Sequence, residues 1–142
     1  FALEFDGRHP YFHQQRSPDD ELRHIRRVEY RERRPSANLT DFDGVDFFLV
    51  KSGHWAYERE WRILQALAEA DSIISAEPYN FHLFRFPPEV LRSVILGART
   101  TEVTKASVLE TLKANPLLNH VKVKCAKADQ SHFLLRISDC PI

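Results

Sequence analysis

Apolar and polar residues alternate along several short stretches of this chain, and in two places apolar residues recur instead at helical spacing. Phe1-Ala2-Leu3-Glu4-Phe5 puts Phe1, Leu3 and Phe5 on one face and predicts an opening strand. Ser17-Pro18-Asp19-Asp20-Glu21 offers a capping hydroxyl, a proline at the first helical position and acids against the helix dipole, so a short helix is expected there. Residues 25 to 30 mix charges with β-favouring side chains and read as a strand. Phe42, Val45 and Leu49 predict a helix over Asp41 to Lys51, which Gly53 ends before a strand from Trp55 to Leu67.

A loop follows from Ala68 to Pro78, and Tyr79 to Phe86 reads as a largely buried strand. Pro87-Pro88-Glu89 predicts a single helical turn through Leu91, and Ser93 to Leu96 a short apolar strand closed by Gly97. Val103, Ala106, Leu109 and Leu112 predict a helix over Thr101 to Ala114 that stops before Pro116. The tail reads as a hairpin with arms His120 to Ala126 and His132 to Ser138, with Val121, Val123 and Cys125 facing inward. Strands outnumber helices without a regular βαβ alternation, so the expected class is α+β, a mixed or mainly antiparallel sheet with two to three helices.

A length of 142 residues suits a single domain over 1–142. The chain contains no methionine and opens directly on a strand, which reads as the C-terminal part of a longer protein. Twenty Lys and Arg balance twenty Asp and Glu, so no net field draws nucleic acid or an acidic membrane. The basic run from Arg23 to Arg34 is interleaved with Glu29 and Glu32 and reads as a solvated face. No apolar run is long enough for a membrane span and the first residues lack a signal-peptide pattern, so a cytoplasmic protein is expected. Cys125 and Cys140 form no Cys-x-x-Cys pair and read as free thiols, and the scattered histidines present no metal site.

The densest chemistry is Trp55-Ala-Tyr57-Glu58-Arg59-Glu60-Trp61-Arg62. On a strand, Glu58, Glu60 and Arg62 would share one face with the carboxylates roughly 6.5 to 7 Å apart. Two acids beside aromatics and cations suit a pocket for a charged small molecule, with Lys51 tuning their ionisation. The structural alternative is a ladder of Glu–Arg ion pairs on a solvated sheet, with Trp55 and Tyr57 as packing.

The blocks Phe1 to Phe5, Lys51 to Arg62 and Phe86 to Gly97 resemble, in order and spacing, an uncharacterised bacterial domain family of unknown function. The Trp-x-Tyr-Glu-x-Glu-Trp-Arg block is the most specific part of that likeness. A further block with a Trp-Ser-His-Tyr type motif precedes these in the family and has no counterpart here. A second likeness joins the Glu-x-Glu pair to the third motif of ADP-ribosyltransferase folds. It implies NAD or a related nucleotide as substrate, with no required cofactor. Glu60 would hold the nicotinamide ribose and stabilise the charge developing on bond breakage, and Glu58 would orient an unidentified acceptor. Trp55 or Tyr57 would stack a ring and Arg62 would meet a diphosphate. A noncatalytic binding or regulatory module with a structural Glu/Arg network stands as the alternative.

Overall fold

The computed structural model describes residues 1–33 and 46–140. Among them the strands run in order β1 (Ala2–Phe5), β2 (Ile25–Arg27), β3 (Glu29–Arg31), β4 (Val50–Ser52), β5 (Trp61–Ile63), β6 (Ser72–Ile74) and β7 (Phe81–Leu83). β8 (Leu91–Leu96), the helix α1 (Glu102–Ala114), β9 (Lys122–Ala128) and β10 (Leu135–Asp139) complete the series. The class is α+β. Of the other helices expected, Asp41 to Lys51 and Pro87 to Leu91 keep a 3-10 turn each, Ser17 to Glu21 forms no helix, and α1 is the α-helix found among the described residues.

The chain divides into two compact units, residues 1–7 with 86–142 and residues 8–85. In the first, the sheet order is β1-β8-β9-β10. β1 and β8 are antiparallel, β8 and β9 parallel, and β9 and β10 antiparallel, so the sheet is mixed. The parallel step needs a crossover, and α1 supplies it. The helix starts where the sequence says it should: the Thr101 hydroxyl accepts from the Thr104 amide at 3.2 Å, with Glu102 in the first turn and Lys113 in the last. Its Val108, Leu109 and Leu112 pack on Val94, Leu96, Val123 and Cys140, which form the core.

The free-thiol reading of the cysteines is corrected by this packing. Cys125 and Cys140 are joined in a disulfide. Hairpin register sets Ser138 opposite Cys125, and the Cys140 amide donates to the Val123 carbonyl at 3.0 Å. Both cysteines therefore lie diagonally on the core face, with their Cα atoms 5.1 Å apart, within the range a disulfide spans. Spacing along the chain says nothing of this, because the pairing follows from strand register.

In the second unit the strands form separate two-stranded ribbons, β2–β5 and β6–β7 antiparallel and β3–β4 parallel. The strand expected over 25 to 30 splits at Val28, which is buried and donates its amide to the Glu60 carbonyl at 3.0 Å. No helix starts at Ser17. The Asp20 carboxylate instead accepts from the Arg16 and Leu22 amides at 2.9 and 3.0 Å, a local side-chain alternative that competes with helical turns. Of the helix expected over Asp41 to Lys51, residues 41–45 lie outside the described residues, Asp46–Leu49 is one 3-10 turn, and Val50 already begins β4. The buried strand expected over Tyr79 to Phe86 shortens to β7, with Phe81 and Leu83 exposed, since among the described residues β7 pairs with β6 alone. β6 falls within the stretch read as a loop. No helix among the described residues is long and apolar enough to cross a membrane.

Candidate functional site

The stretch expected as one strand from Trp55 to Leu67 is three pieces. Gly53–Glu58 is a 3-10 helix, Arg59 sits in the left-handed region at φ 48°, and only Trp61–Ile63 is strand. Glu58 therefore ends a helical turn and Glu60 precedes a strand, so strand alternation does not relate them. The turn at Arg59 nevertheless brings both carboxylates to one cation. Lys51 Nζ donates to Glu58 Oε2 and to Glu60 Oε2, the latter at 3.1 Å.

Lys51 reaches this position from β4, where parallel pairing sets it beside Tyr30 of β3. The Tyr30 hydroxyl accepts the Glu60 amide at 2.8 Å. Arg62, on β5, donates Nε to Glu60 Oε1 at 2.6 Å and a terminal nitrogen to Oε2 at 3.1 Å. Its other terminal nitrogen donates to the Phe48 carbonyl at 2.5 Å. Glu60 thus has donors on both oxygens. The Arg62 guanidinium first, and then the Lys51 ammonium, pull its carboxyl down to about 2, outweighing the opposing effect of lost hydration. Lys51 is correspondingly raised, chiefly by Glu58 and then Glu60, so both partners favour their charged forms.

The aromatic residues stand at the edge of this network. Lys51 Nζ lies 5.2 Å from the centre of the Trp55 ring, within cation–π reach, and the Trp55 and Tyr57 rings are 6.0 Å apart and tilted by 42°. A cavity of about 440 Å³ opens here, lined by Arg31, Glu32, Arg33, Val50, Lys51, Ser52 and Trp55. Among the six residues singled out from the sequence, Lys51 and Trp55 line it. Glu58, Glu60 and Arg62 stand behind Lys51 as its support, and Tyr57 stands beside Trp55.

Arg31, Glu32, Arg33, Val50 and Ser52 are the lining residues that sequence reasoning missed. Arg31 and Arg33 were assigned to a solvated face because their interleaved acids balance them, and Arg31 does bond Glu29 at 2.7 Å. The signal that brings them to Lys51 is the parallel β3–β4 register, which matches Arg31 with Ser52. Three-residue strands leave no periodicity to reveal it. No group of three or more metal-ligating side chains occurs among the described residues.

Neither family models, nor curated proteins, nor solved structures give a match to this chain.

Proposed function

We propose that this chain is a noncatalytic binding module for an anionic ligand with a planar ring, of the nucleotide class. The supporting observation is the state of Glu60. A carboxylate that is to stabilise developing positive charge does so best with its acceptor sites open, and here three of the roughly four sites of Glu60 are already occupied by Arg62 and Lys51. Such a group is suited to fixing Lys51 and the turn at Arg59. The adjoining cavity sets the cations of Arg31, Arg33 and Lys51 beside the Trp55 ring, an arrangement open to an anionic ring ligand, with Glu32 in the same lining and with Arg31 and Lys51 also bonded to Glu29 and to Glu58 and Glu60. Its volume falls in the usual range of ligand pockets.

A second reading, glycosyl transfer from NAD in the manner of ADP-ribosyltransferases, draws on the convergence of Glu58 and Glu60 beside Trp55. In that reading the protein is a bacterial enzyme, Lys51 releases Glu60 on ligand binding, and Arg62 turns to the diphosphate. The compartment is read from the cysteines. A bonded pair within the core suits an oxidising setting, against the reducing cytoplasm expected from the sequence.

Titration calorimetry with ADP and NAD, alongside assay of nicotinamide release, separates the two functions. The binding module predicts saturable association, weakened at least tenfold by Lys51→Ala or Trp55→Ala in variants whose circular dichroism is unchanged, with no nicotinamide released. Release that disappears in Glu60→Gln would establish the enzyme instead. No association with any nucleotide would reject both.

A further inference from the structure

We propose that the turn end of the β9–β10 hairpin binds the phosphate group of a small molecule. The two strands pair without a shift and set Arg136 directly opposite Lys127. Residues opposed in this way share a face with their Cβ atoms about 5 Å apart, and like charges so placed destabilise the pair. Asp129 balances one of the two cations by accepting Arg136 Nε on its Oδ2. Lys127 has no partner among the described residues. The surplus positive charge faces a hollow of about 520 Å³, lined among others by Lys127, Ser131, His132, Arg136 and Ser138.

Asp129 borders the same hollow, but its charge is turned inward. Its side chain is 6% exposed, and Oδ1 accepts the Ser131 amide at 2.8 Å, the His132 amide at 2.9 Å and His132 Nδ1 at 3.2 Å. The carboxylate thus acts as a bracket for the donors around it. Holding Arg136 by Nε leaves both terminal nitrogens of the guanidinium without a partner among the described residues. Those nitrogens, Lys127 Nζ and the Ser131 and Ser138 hydroxyls can all donate, and a protonated His132 adds Nε2.

Charge and size select the ligand. Lys127 and Arg136 against Asp129 leave a net single positive charge, which a protonated His132 doubles, and a phosphate monoester carries about −1.5 to −2 at neutral pH. Arginine offers phosphate paired donors and lysine a point charge. The hollow lies in the usual range of small-molecule pockets, so a phosphate fills part of it and leaves room for an organic group. Stability alone would favour an acid at position 127, opposite Arg136. Folded chains tolerate such local conflicts chiefly where function needs them, and here binding and hairpin stability pull in opposite directions.

Amide chemical shifts of the full chain, followed while sodium phosphate or phenyl phosphate is added at an ionic strength held constant with sodium chloride, test the proposal. The Ser131, His132 and Arg136 amides should shift and saturate with both. Equal affinities assign free phosphate as the ligand, and tighter binding of phenyl phosphate assigns an organic monoester. Lys127→Ala should weaken binding about tenfold, the loss of one charge-assisted bond. Lys127→Glu should weaken it further while slowing amide exchange in β9 and β10 without phosphate, because an opposite-charge pair replaces a like-charge one. Lys122→Ala removes the same charge from the other face of β9 and should leave binding intact. Shifts that never saturate, that sodium chloride alone reproduces, or that Lys122→Ala and Lys127→Ala weaken equally would reduce the effect to general screening and overturn the proposal. So would saturable binding indifferent to both Lys127 variants.

Discussion

The unit of residues 1–7 and 86–140 and the unit of residues 8–33 and 46–85 are held together by different means. In the first, Val90, Leu91, Val94, Leu96, Val123, Ala126 and Cys140 are buried, and α1 lies over part of that surface. In the second, Val28 and Leu49 are the hydrophobic residues that reach the same burial among those described. Charged side chains do the joining there. Arg23 donates to Asp20 at 2.9 Å and to Glu69 at 2.8 Å, while Lys51 and Arg62 tie Glu58 and Glu60 together. Apolar burial is non-directional and proportional to area, whereas partly exposed ion pairs contribute little and are screened by salt. The first unit should therefore carry most of the stability and the second most of the sensitivity to solution conditions.

The hardest blow to this contrast is aimed at the core of the first unit. Leu96 is 2% exposed and packs in the cluster beneath α1. Leu96→Ala should destabilise that unit by about 2–5 kcal/mol, through lost transfer energy and the cavity left behind. Urea titration followed by amide exchange in β8 and β9 measures it. A loss under 1 kcal/mol would mean that the core is not where the stability lies. Next comes the disulfide, whose cysteines are 15 residues apart. Closing a loop of that size is worth about 3 kcal/mol, so a Cys125→Ala, Cys140→Ala double variant should lose about that amount. β10 amides should exchange earliest. Thr101→Ala, which removes the cap of α1, should cost about 1 kcal/mol, seen as a lower urea midpoint at unchanged slope.

The same contrast explains which parts of the molecule were legible in the sequence. β1, the turn at Pro88–Val90, β8, α1 with its Thr101 cap, and the β9–β10 hairpin all lie near where the pattern sets them. In these elements local spacing and the final packing agree, because one face meets one core. In the second unit the strands are three residues long, too short for a period to emerge, and side chains override the local signal. Asp20 takes backbone amides that a helix would need, and Arg59, in the left-handed region at φ 48°, breaks the extended run between two glutamates that alternation would have aligned. The meeting of Glu58, Glu60, Lys51 and Arg62 was readable as composition but not as geometry. Arg31 and Arg33 joined the site through a parallel pairing that composition does not encode.

The smallest expected effect is also the one most specific to the second unit. Both tryptophans of the chain, Trp55 and Trp61, lie in it, so tryptophan emission reports that unit alone. Glu60 falls from 4.5 to about 2 in the folded state, first through Arg62 and then Lys51. A depressed carboxyl contributes stability that is complete above its unfolded value and is lost as pH falls through the folded one. Emission should therefore hold steady above about pH 5 and change as pH drops from 4.5 toward 2. Glu60→Gln should remove the part of that change belonging to this network. Salt should act in the same direction, because a Debye length of about 3 Å at 1 M screens exposed pairs. Emission that follows pH identically in the wild type and in Glu60→Gln would show that burial, rather than the ion network, sets the geometry around Trp55. The two units would then differ in amount of core and not in the kind of force that holds them.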